Sequence, residues 1–151
     1  MSRIVIADST CLIGLSKIGK LEILHQLFEE IVIPHAVYHE VVNLGAGRSG
    51  AEEVKHATWI KVQHVQNELA VQTLRLTLGH GESEAIILAS ETKADFIILD
   101  DWRARKTATS LSLNVVGTVG VLARAEQKKL ISSLSDILEE LRKVGFRLPK
   151  T

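Results

Sequence analysis

Short apolar runs alternate with segments of helical periodicity along this chain, and this alternation limits the folds that it can adopt. Five runs rich in β-branched residues predict strands, at residues 3–7, 31–33, 59–62, 95–100 and 114–116. Helices are predicted between and after them, one opening at Pro34 and the others at residues 11–18, 21–28, 51–57, 67–76, 82–93, 102–111, 119–129 and 134–144. Strands that alternate with helices form βαβ units. We therefore expect an α/β fold with a mainly parallel central sheet flanked by helices on both faces.

The length and the composition fit one globular domain over residues 1–151. A chain of this size typically buries ~70% of the surface that it exposes when unfolded, and 46% of its residues are hydrophobic. The longest apolar runs are broken by charges before they reach the ~20 residues that span a bilayer. Cys11, the single cysteine, has no partner for an internal disulfide and is expected to be a small core residue. We expect a cytoplasmic protein with no membrane segment.

The net charge of zero counts against indiscriminate nucleic-acid binding, which usually requires a basic surface. The charges are unevenly distributed, because residues 1–100 carry 8 Lys and Arg against 13 Asp and Glu, whereas residues 101–151 carry 10 against 5. An acidic site beside a basic flank would produce this division, and so would ordinary scatter of charges over the surface.

Two acids stand where predicted buried strands end. Asp8 follows the first apolar run, and Asp100 ends the fourth. In parallel α/β sheets the reactive groups gather at the carboxyl ends of the strands. For either acid taken alone, the alternative is a helix cap.

Two glutamates are predicted to lie on the apolar faces of helices. Glu40 is at helical spacing from Leu44, and Glu82 is at helical spacing from Ile86, so both side chains should point inward. Glu84, by contrast, should face water. Glu82 also lies in the first turn of its helix, where a negative charge favours the helix dipole by ~0.3–1 kcal/mol.

Several carboxylates buried together require a compensating positive charge, because burial and mutual repulsion both raise the free energy of the folded state. A divalent cation is the simplest compensation. Ligands that are all oxygen favour Mg²⁺ or Mn²⁺ over structural zinc. The implied chemistry is hydrolysis of a phosphodiester bond, with a metal that lowers the pKa of an attacking water.

Four motifs, taken together in this order and spacing, resemble PIN-domain proteins. They are Ile6-Ala-Asp8-Ser9, the helical Glu40, Gly81-Glu82-Ser-Glu-Ala-Ile86 and Ile98-Leu-Asp100-Asp101. The later segment from Gly117 to Leu122 extends the resemblance to the branch of VapC-like toxins, and the resemblance covers nearly the whole chain. It implies a parallel sheet flanked by helices, a cluster of acids that binds Mg²⁺ or Mn²⁺, and endoribonuclease activity. For toxin members it also implies a small antitoxin protein and a homodimer.

The resemblance carries over to individual residues. Asp8 matches the first acid of the family, Glu40 the second and Glu82 the third, while Asp100 and Asp101 both fit the fourth position. All five are therefore candidate catalytic residues. The candidate metal ligands among them are Asp8, Glu82, Asp100 and Asp101.

Further residues near the acids each have two interpretations. Ser9 either holds a metal-bound water or caps the helix, and Thr118 either faces the site or, as the favoured reading, is a plain turn residue. Trp102 either stacks on a base or, as the favoured reading, packs in the core or an interface. The basic residues after the fourth acid either bind RNA phosphates or form a solvated helix face, the latter being favoured: Arg103, Arg105 and Lys106.

The sequence thus predicts a Mg²⁺- or Mn²⁺-dependent endoribonuclease whose substrate is RNA, acting as the toxin of a toxin–antitoxin pair. We also expect it to associate with itself or with an antitoxin through apolar helix faces that carry Leu15, Leu24, Leu27 and Phe28. The alternative is a non-catalytic PIN-like module that binds RNA or proteins. The intact set of acids speaks against that alternative.

Overall fold

Five parallel strands form one sheet at the centre of the computed structural model, which describes residues 3–148. The strands are β1 (Val5–Ala7), β2 (Ile31–Pro34), β3 (Ile60–Gln63), β4 (Phe96–Ile98) and β5 (Val115–Val116). They lie in the order β3-β2-β1-β4-β5, so that the first strand of the chain is the central one. In β1, Ile6 pairs with Val32 on one side and with Ile97 on the other. The predicted parallel sheet is confirmed.

Helices cover both faces of the sheet, as the sequence predicted. They are α1 (Ser9–Lys17), α2 (Glu22–Phe28), α3 (His35–Tyr38), a π-helix (His39–Leu44), α4 (Ala51–His56), α5 (Glu68–Leu74), α6 (His80–Thr92), α7 (Trp102–Ser110), α8 (Thr118–Gln127) and α9 (Leu134–Lys143). Successive side chains of a strand point to opposite faces, and each face has its own core. Val5 and Ala7 pack with residues of α1, α2, α8 and α9, whereas Ile6 packs with residues of α5, α6 and α7. In the described part of the chain, no helix combines the length and the apolar character needed to cross a membrane.

The apolar residues offered as a basis for self-association lie inside this fold. Leu15 and Leu24 are fully buried, Phe28 is almost so, and Leu27 packs against the same core. Leu15, Leu24 and Phe28 are therefore core residues and cannot form an interface, whereas self-association itself stays a prediction. A parallel sheet has helices packed on both faces, so its helices bury more apolar residues than one amphipathic face would.

The helix after β2 changes its geometry near Glu40. One expectation was therefore wrong, namely that Glu40 and Leu44 share a buried helix face. The segment His39–Leu44 is a π-helix, in which hydrogen bonds join residues five apart rather than four. The wider turn shifts the side chains that follow, so Leu44 is 70% exposed although it was expected to share a buried face with Glu40. Glu40 itself is half-buried.

The prediction that Glu84 faces water was also wrong. Its side chain is 8% exposed, and Oε1 accepts a hydrogen bond of 2.9 Å from the Ala36 amide in the first turn of α3. Pro34 stands at the cap position of α3 and has no side-chain group to bind that turn. Glu84 therefore caps α3 from a different helix, because α6 packs against both the sheet and α3.

We expect Glu84→Ala to destabilise the fold, because it leaves the Ala36 amide buried without a partner. The loss in the free energy of unfolding should be about 1–3 kcal/mol, the range for an unsatisfied buried group. Urea unfolding of Glu84→Ala and Glu84→Gln measures this, and the glutamine, which keeps an acceptor oxygen, should lose less. Equal stability of wild type and Glu84→Ala would contradict this role.

Candidate metal centre

The carboxyl ends of the five parallel strands lie along one side of the sheet, which we call the carboxyl edge. Asp8 follows β1, Asp100 lies two residues beyond the end of β4, and Thr118 lies two beyond the end of β5. Because β1 is the central strand, Asp8 lies between the residues that follow β2 and those that follow β4. The topology therefore brings sequence-distant polar residues to the same edge.

Asp8 is buried in a position where a carboxylate is unfavourable. It is 3% exposed, and its amide donates a 3.2 Å hydrogen bond to the Ile98 carbonyl of the adjacent strand. It stands at the cap position of α1, yet its side chain accepts no capping hydrogen bond, so the interpretation of Asp8 as a simple helix cap was wrong. Burial raises its pKa to about 7, an effect opposed by the Ser9 amide and increased by the nearby carboxylates of Glu82, Glu40 and Asp100.

Ser9 connects the first acid to the second. Its Oγ donates to Glu40 Oε2 at 3.1 Å and lies 3.5 Å from Asp8 Oδ1. The alternative that Ser9 caps α1 was wrong, since the cap position belongs to Asp8. The hydroxyl instead fixes the carboxylate of Glu40, which reaches back from the π-helix toward α1.

Glu82 is both a first-turn residue and a neighbour of the other acids. Its Oε1 accepts a 3.2 Å hydrogen bond from the Gly79 amide at the start of α6. Burial raises its pKa, with the Gly79 amide acting against the shift and the charges of Asp101 and Glu40 adding to it. The helix-dipole interpretation and the acidic-cluster interpretation therefore both hold for Glu82.

The adjacent acids Asp100 and Asp101 have different surroundings. Asp100 accepts hydrogen bonds from the Thr118 amide at 2.8 Å and from the Thr118 hydroxyl at 2.6 Å. Asp101 is exposed and caps α7, its Oδ2 accepting from the Ala104 amide at 3.0 Å. Thr118 is fully buried, so its interpretation as a plain turn residue was wrong.

The five acids are thus electrostatic neighbours, but they are not a finished metal site. Within residues 3–148, no three acid, histidine or cysteine side chains are arranged closely enough to hold a metal ion. Three of the acids are turned to hydrogen-bond donors of the protein instead, Glu40 to Ser9, Glu82 to Gly79 and Asp100 to Thr118. The donor set still fits Mg²⁺ or Mn²⁺ in kind, since Mg²⁺ usually takes one or two carboxylates together with waters and substrate phosphate.

Two glycines let the acids approach the backbone, a role that the motifs containing them did not predict. A Cβ at Gly81 would overlap Glu40 Oε1, and a Cβ at Gly117 would overlap the Arg105 guanidinium and lie 3.2 Å from Asp100 Oδ1. Each glycine directly precedes a residue of the site, Glu82 or Thr118. That adjacency, and the place of each glycine at the start of a quoted motif, are the sequence signals that point to them.

The basic residues after the fourth acid divide into two kinds. Arg105 is half-buried and donates from Nη1 to the Leu99 carbonyl at 3.2 Å, beside Gly117 and Asp100. Arg103 and Lys106 are exposed, as the favoured interpretation of a solvated face predicted.

Trp102 was expected to pack in the core or an interface, and the core interpretation was wrong. The side chain is 69% exposed at the start of α7, and Lys106 Nζ lies 5.2 Å from the centre of its ring. Cys11, in contrast, is a core residue as expected. Its burial raises the pKa of the thiol to about 12, so it is not a nucleophile at neutral pH.

Comparisons with known proteins agree with this geometry at the level of the fold and the family. The sequence model of a family described as "PIN domain" matches residues 4–151. Comparison with curated proteins gives no significant match. Among solved structures, the fold is similar to that of a PilT N-terminus domain protein from the hyperthermophilic archaeon Sulfolobus solfataricus. The two sequences are 22% identical with a TM-score of 0.55, and the match covers 81% of this chain and 93% of the archaeal one.

The raised pKa of Asp8 predicts how the stability of the metal-free protein depends on pH. Between the ordinary value of 3.8 and the folded value of about 7, the folded state binds the proton more tightly than the unfolded state does. The free energy of unfolding should therefore fall as the pH rises through this range, on the order of a few kcal/mol, and the raised pKa of Glu82 acts in the same direction.

Thermal melting in EDTA between about pH 5 and about pH 8 measures this dependence. Asp8→Asn should remove most of it and raise the melting temperature at the alkaline end. Asp136→Asn, the same change at an exposed position of α9, is the matched control and should leave the dependence intact. A wild-type protein that becomes more stable with rising pH would contradict the assignment.

Proposed function

Because this chain belongs to the PIN-domain family, in which nucleases are common, we propose that it is a Mg²⁺- or Mn²⁺-dependent endoribonuclease that hydrolyses RNA phosphodiester bonds. The observation that carries the proposal is the burial of Asp8 beside the negative charges of Glu82, Glu40 and Asp100. Such an arrangement raises the free energy of the folded state unless a cation compensates it. A purely structural role does not require several acids at this edge.

The residues that would hold the metal are Asp8, Glu82 and the pair Asp100 and Asp101. When bound, the ion supplies a water of lowered pKa and a positive charge beside the scissile phosphate. The protein supplies the orientation of the ligands, and we propose Glu40 as the acid that acts beside them. This assignment rests on the resemblance of these positions to the acids of PIN domains and on their common edge.

The hydrogen bonds of the acids suggest which groups position them. The Thr118 amide and hydroxyl hold Asp100, the Gly79 amide holds Glu82, and the Ser9 hydroxyl holds Glu40. Groups of this kind fix the orientation of metal ligands, and their removal typically lowers metal affinity or activity about 10- to 100-fold.

The substrate would approach from the side of α7. Arg105 is held next to Asp100 by the Leu99 carbonyl, where its guanidinium can bind an RNA phosphate. Arg103 and Lys106 add exposed positive charge on the same helix, and Trp102 offers an exposed ring on which a base can stack.

A role as the toxin of a toxin–antitoxin pair is a further part of the proposal. It rests on the resemblance of Gly81–Ile86 and Gly117–Leu122 to VapC-like toxins, as does pairing with a small antitoxin protein or with a second copy of the chain. Of the apolar residues first offered for such an interface, Leu15, Leu24 and Phe28 are buried and Leu27 is half-buried, so they lend it little support. The alternative is a non-catalytic module that binds RNA or proteins. The cleavage assay described next distinguishes it from a nuclease.

We expect cleavage of single-stranded RNA in Mg²⁺ or Mn²⁺, and its loss in Asp8→Asn. The substitution keeps the shape of the side chain while it removes a negatively charged ligand, so the fold should survive. Gel analysis of a labelled RNA, with thermal melting of the same samples, measures both properties. Asp136→Asn should cleave as the wild type does. Cleavage in EDTA that Asp8→Asn leaves intact would rule out the mechanism, and RNA binding without any cleavage would favour the non-catalytic module.

Gly81→Ala tests the close approach of Glu40 to α6. The added methyl would displace the flexible end of Glu40 rather than the backbone, and alanine is favoured over glycine in a helix by ~0.5–1 kcal/mol. We therefore expect unchanged or higher stability together with at least ~10-fold slower cleavage. Gly120→Ala is the matched control in a helix, since its methyl meets Val116 rather than an acid. Full activity of Gly81→Ala would show that the position of Glu40 does not matter for the reaction.

A further inference from the structure

Three exposed histidines form a stack of nearly parallel rings. The ring centres of His35 and His64 are 4.9 Å apart with an angle of 20° between the planes, and those of His35 and His39 are 6.4 Å apart with an angle of 14°. All three side chains are exposed, so the stack is not part of the core. We call these residues the histidine stack.

The topology of the sheet places the histidine stack at the carboxyl edge. His35 directly follows β2, His39 is one helical turn later, and His64 directly follows β3. Because Pro34 of β2 pairs with Gln63 of β3, the residues that follow them meet at the same end of the sheet. The stack thus joins residues that follow two neighbouring strands and is not confined to one helix.

The geometry of the rings argues for a stacking surface rather than a metal site. Ligands of one metal ion direct their nitrogen atoms to a common point, whereas parallel rings present their faces to one another. In the described part of the chain, these histidines do not form a group that could hold a metal ion. His35 is shared by both ring pairs, so the faces that no histidine of the stack covers belong to the two end rings, His39 and His64.

The stack lies beside the acids. β2 is the direct neighbour of β1, and adjacent strands are ~4.8 Å apart, so the stack begins about one strand spacing from the strand that carries Asp8. His39 also precedes Glu40 in the chain. On the other side of β1, β4 leads to Trp102, and the acids therefore lie between two exposed aromatic groups.

We propose that the histidine stack binds an unpaired base of single-stranded RNA next to the acids. The inference rests on the proposed function, since RNA is the substrate that it assigns. Proteins hold unpaired bases by stacking them on aromatic rings, and a histidine face serves this purpose. Bases inside a duplex cannot reach such a surface, so the test uses single-stranded RNA.

The test compares two replacements of His35 that differ in aromatic character. His35→Gln keeps a polar side chain of similar size without an aromatic face, whereas His35→Phe keeps the face without the ring nitrogens. Binding of a short fluorescein-labelled single-stranded RNA is measured by fluorescence anisotropy in EDTA, so that the probe stays intact. Cleavage of the same RNA is measured separately in Mn²⁺.

We expect His35→Gln to weaken binding at least ~5-fold, which corresponds to the ~1 kcal/mol lower end for a stacked base. His64→Gln, on a different element, should weaken it likewise, and His35→Phe should bind within about twofold of wild type. The matched control is His25→Gln. His25 also stacks on a ring, with 5.1 Å to Trp59, but Trp59 directly precedes β3 and so lies at the opposite edge of the sheet. This variant should bind as the wild type does.

Three other results would contradict the inference. If the wild type cleaves RNA in an Asp8-dependent manner but His35→Gln and His64→Gln bind as it does, the inference is overturned and the proposed function stands. The inference also fails if His35→Phe is as weak as His35→Gln, because the ring nitrogens and not the face would then be recognised. A wild-type protein that neither binds nor cleaves RNA overturns both.

Discussion

The burial of one carboxylate, that of Asp8, is the constraint around which the rest of the site is arranged. The central strand of a parallel sheet ends in a place with little water, and the side chain that follows it is surrounded by further acids. Each neighbouring acid has its own hydrogen-bond donor: Ser9 for Glu40, the Gly79 amide for Glu82 and Thr118 for Asp100. The structure therefore keeps several carboxylates near one another at the carboxyl edge, where their negative charges add to the effect of burial on the pKa of Asp8.

The motif Gly81-Glu82-Ser83-Glu84 shows how a short sequence can serve two purposes. Glu82 faces the acids, while Glu84, one half-turn away, caps α3 through the Ala36 amide. Gly81 leaves room for the carboxylate of Glu40, which the π-helix presents from the other side. Through this contact, α6 fixes both the third acid and the segment that carries the second. A π-helical turn in that segment fits a position of functional importance.

The sequence predicted the strands, their parallel arrangement and the acids at their ends, because β-branched runs and strand-end residues are local signals. It misplaced Glu84, because a pattern of helical spacing predicts one buried face, whereas α6 packs against both the sheet and α3. It misplaced Leu44, because a π-helix is not visible in a pattern of period 3.6. The role of Thr118 and the two glycines beside the acids depend on distances between segments far apart in the chain. The spacing of apolar residues along the chain does not predict such distances. It also does not predict the side-chain rotamers that orient each carboxylate toward its hydrogen-bond donor.

The order of the strands has a consequence for synthesis of the protein. Of the five strands the central one is made first, but the backbone contact of Asp8 with β4 is made at Ile98, and Asp100 is held by Thr118. Contacts between such distant segments form late, because a long loop must close before they are gained. A chain still emerging from the ribosome therefore holds Asp8 and Glu40 without the environment that makes them a site. Any chemistry at this edge is delayed until Thr118 has left the ribosomal tunnel.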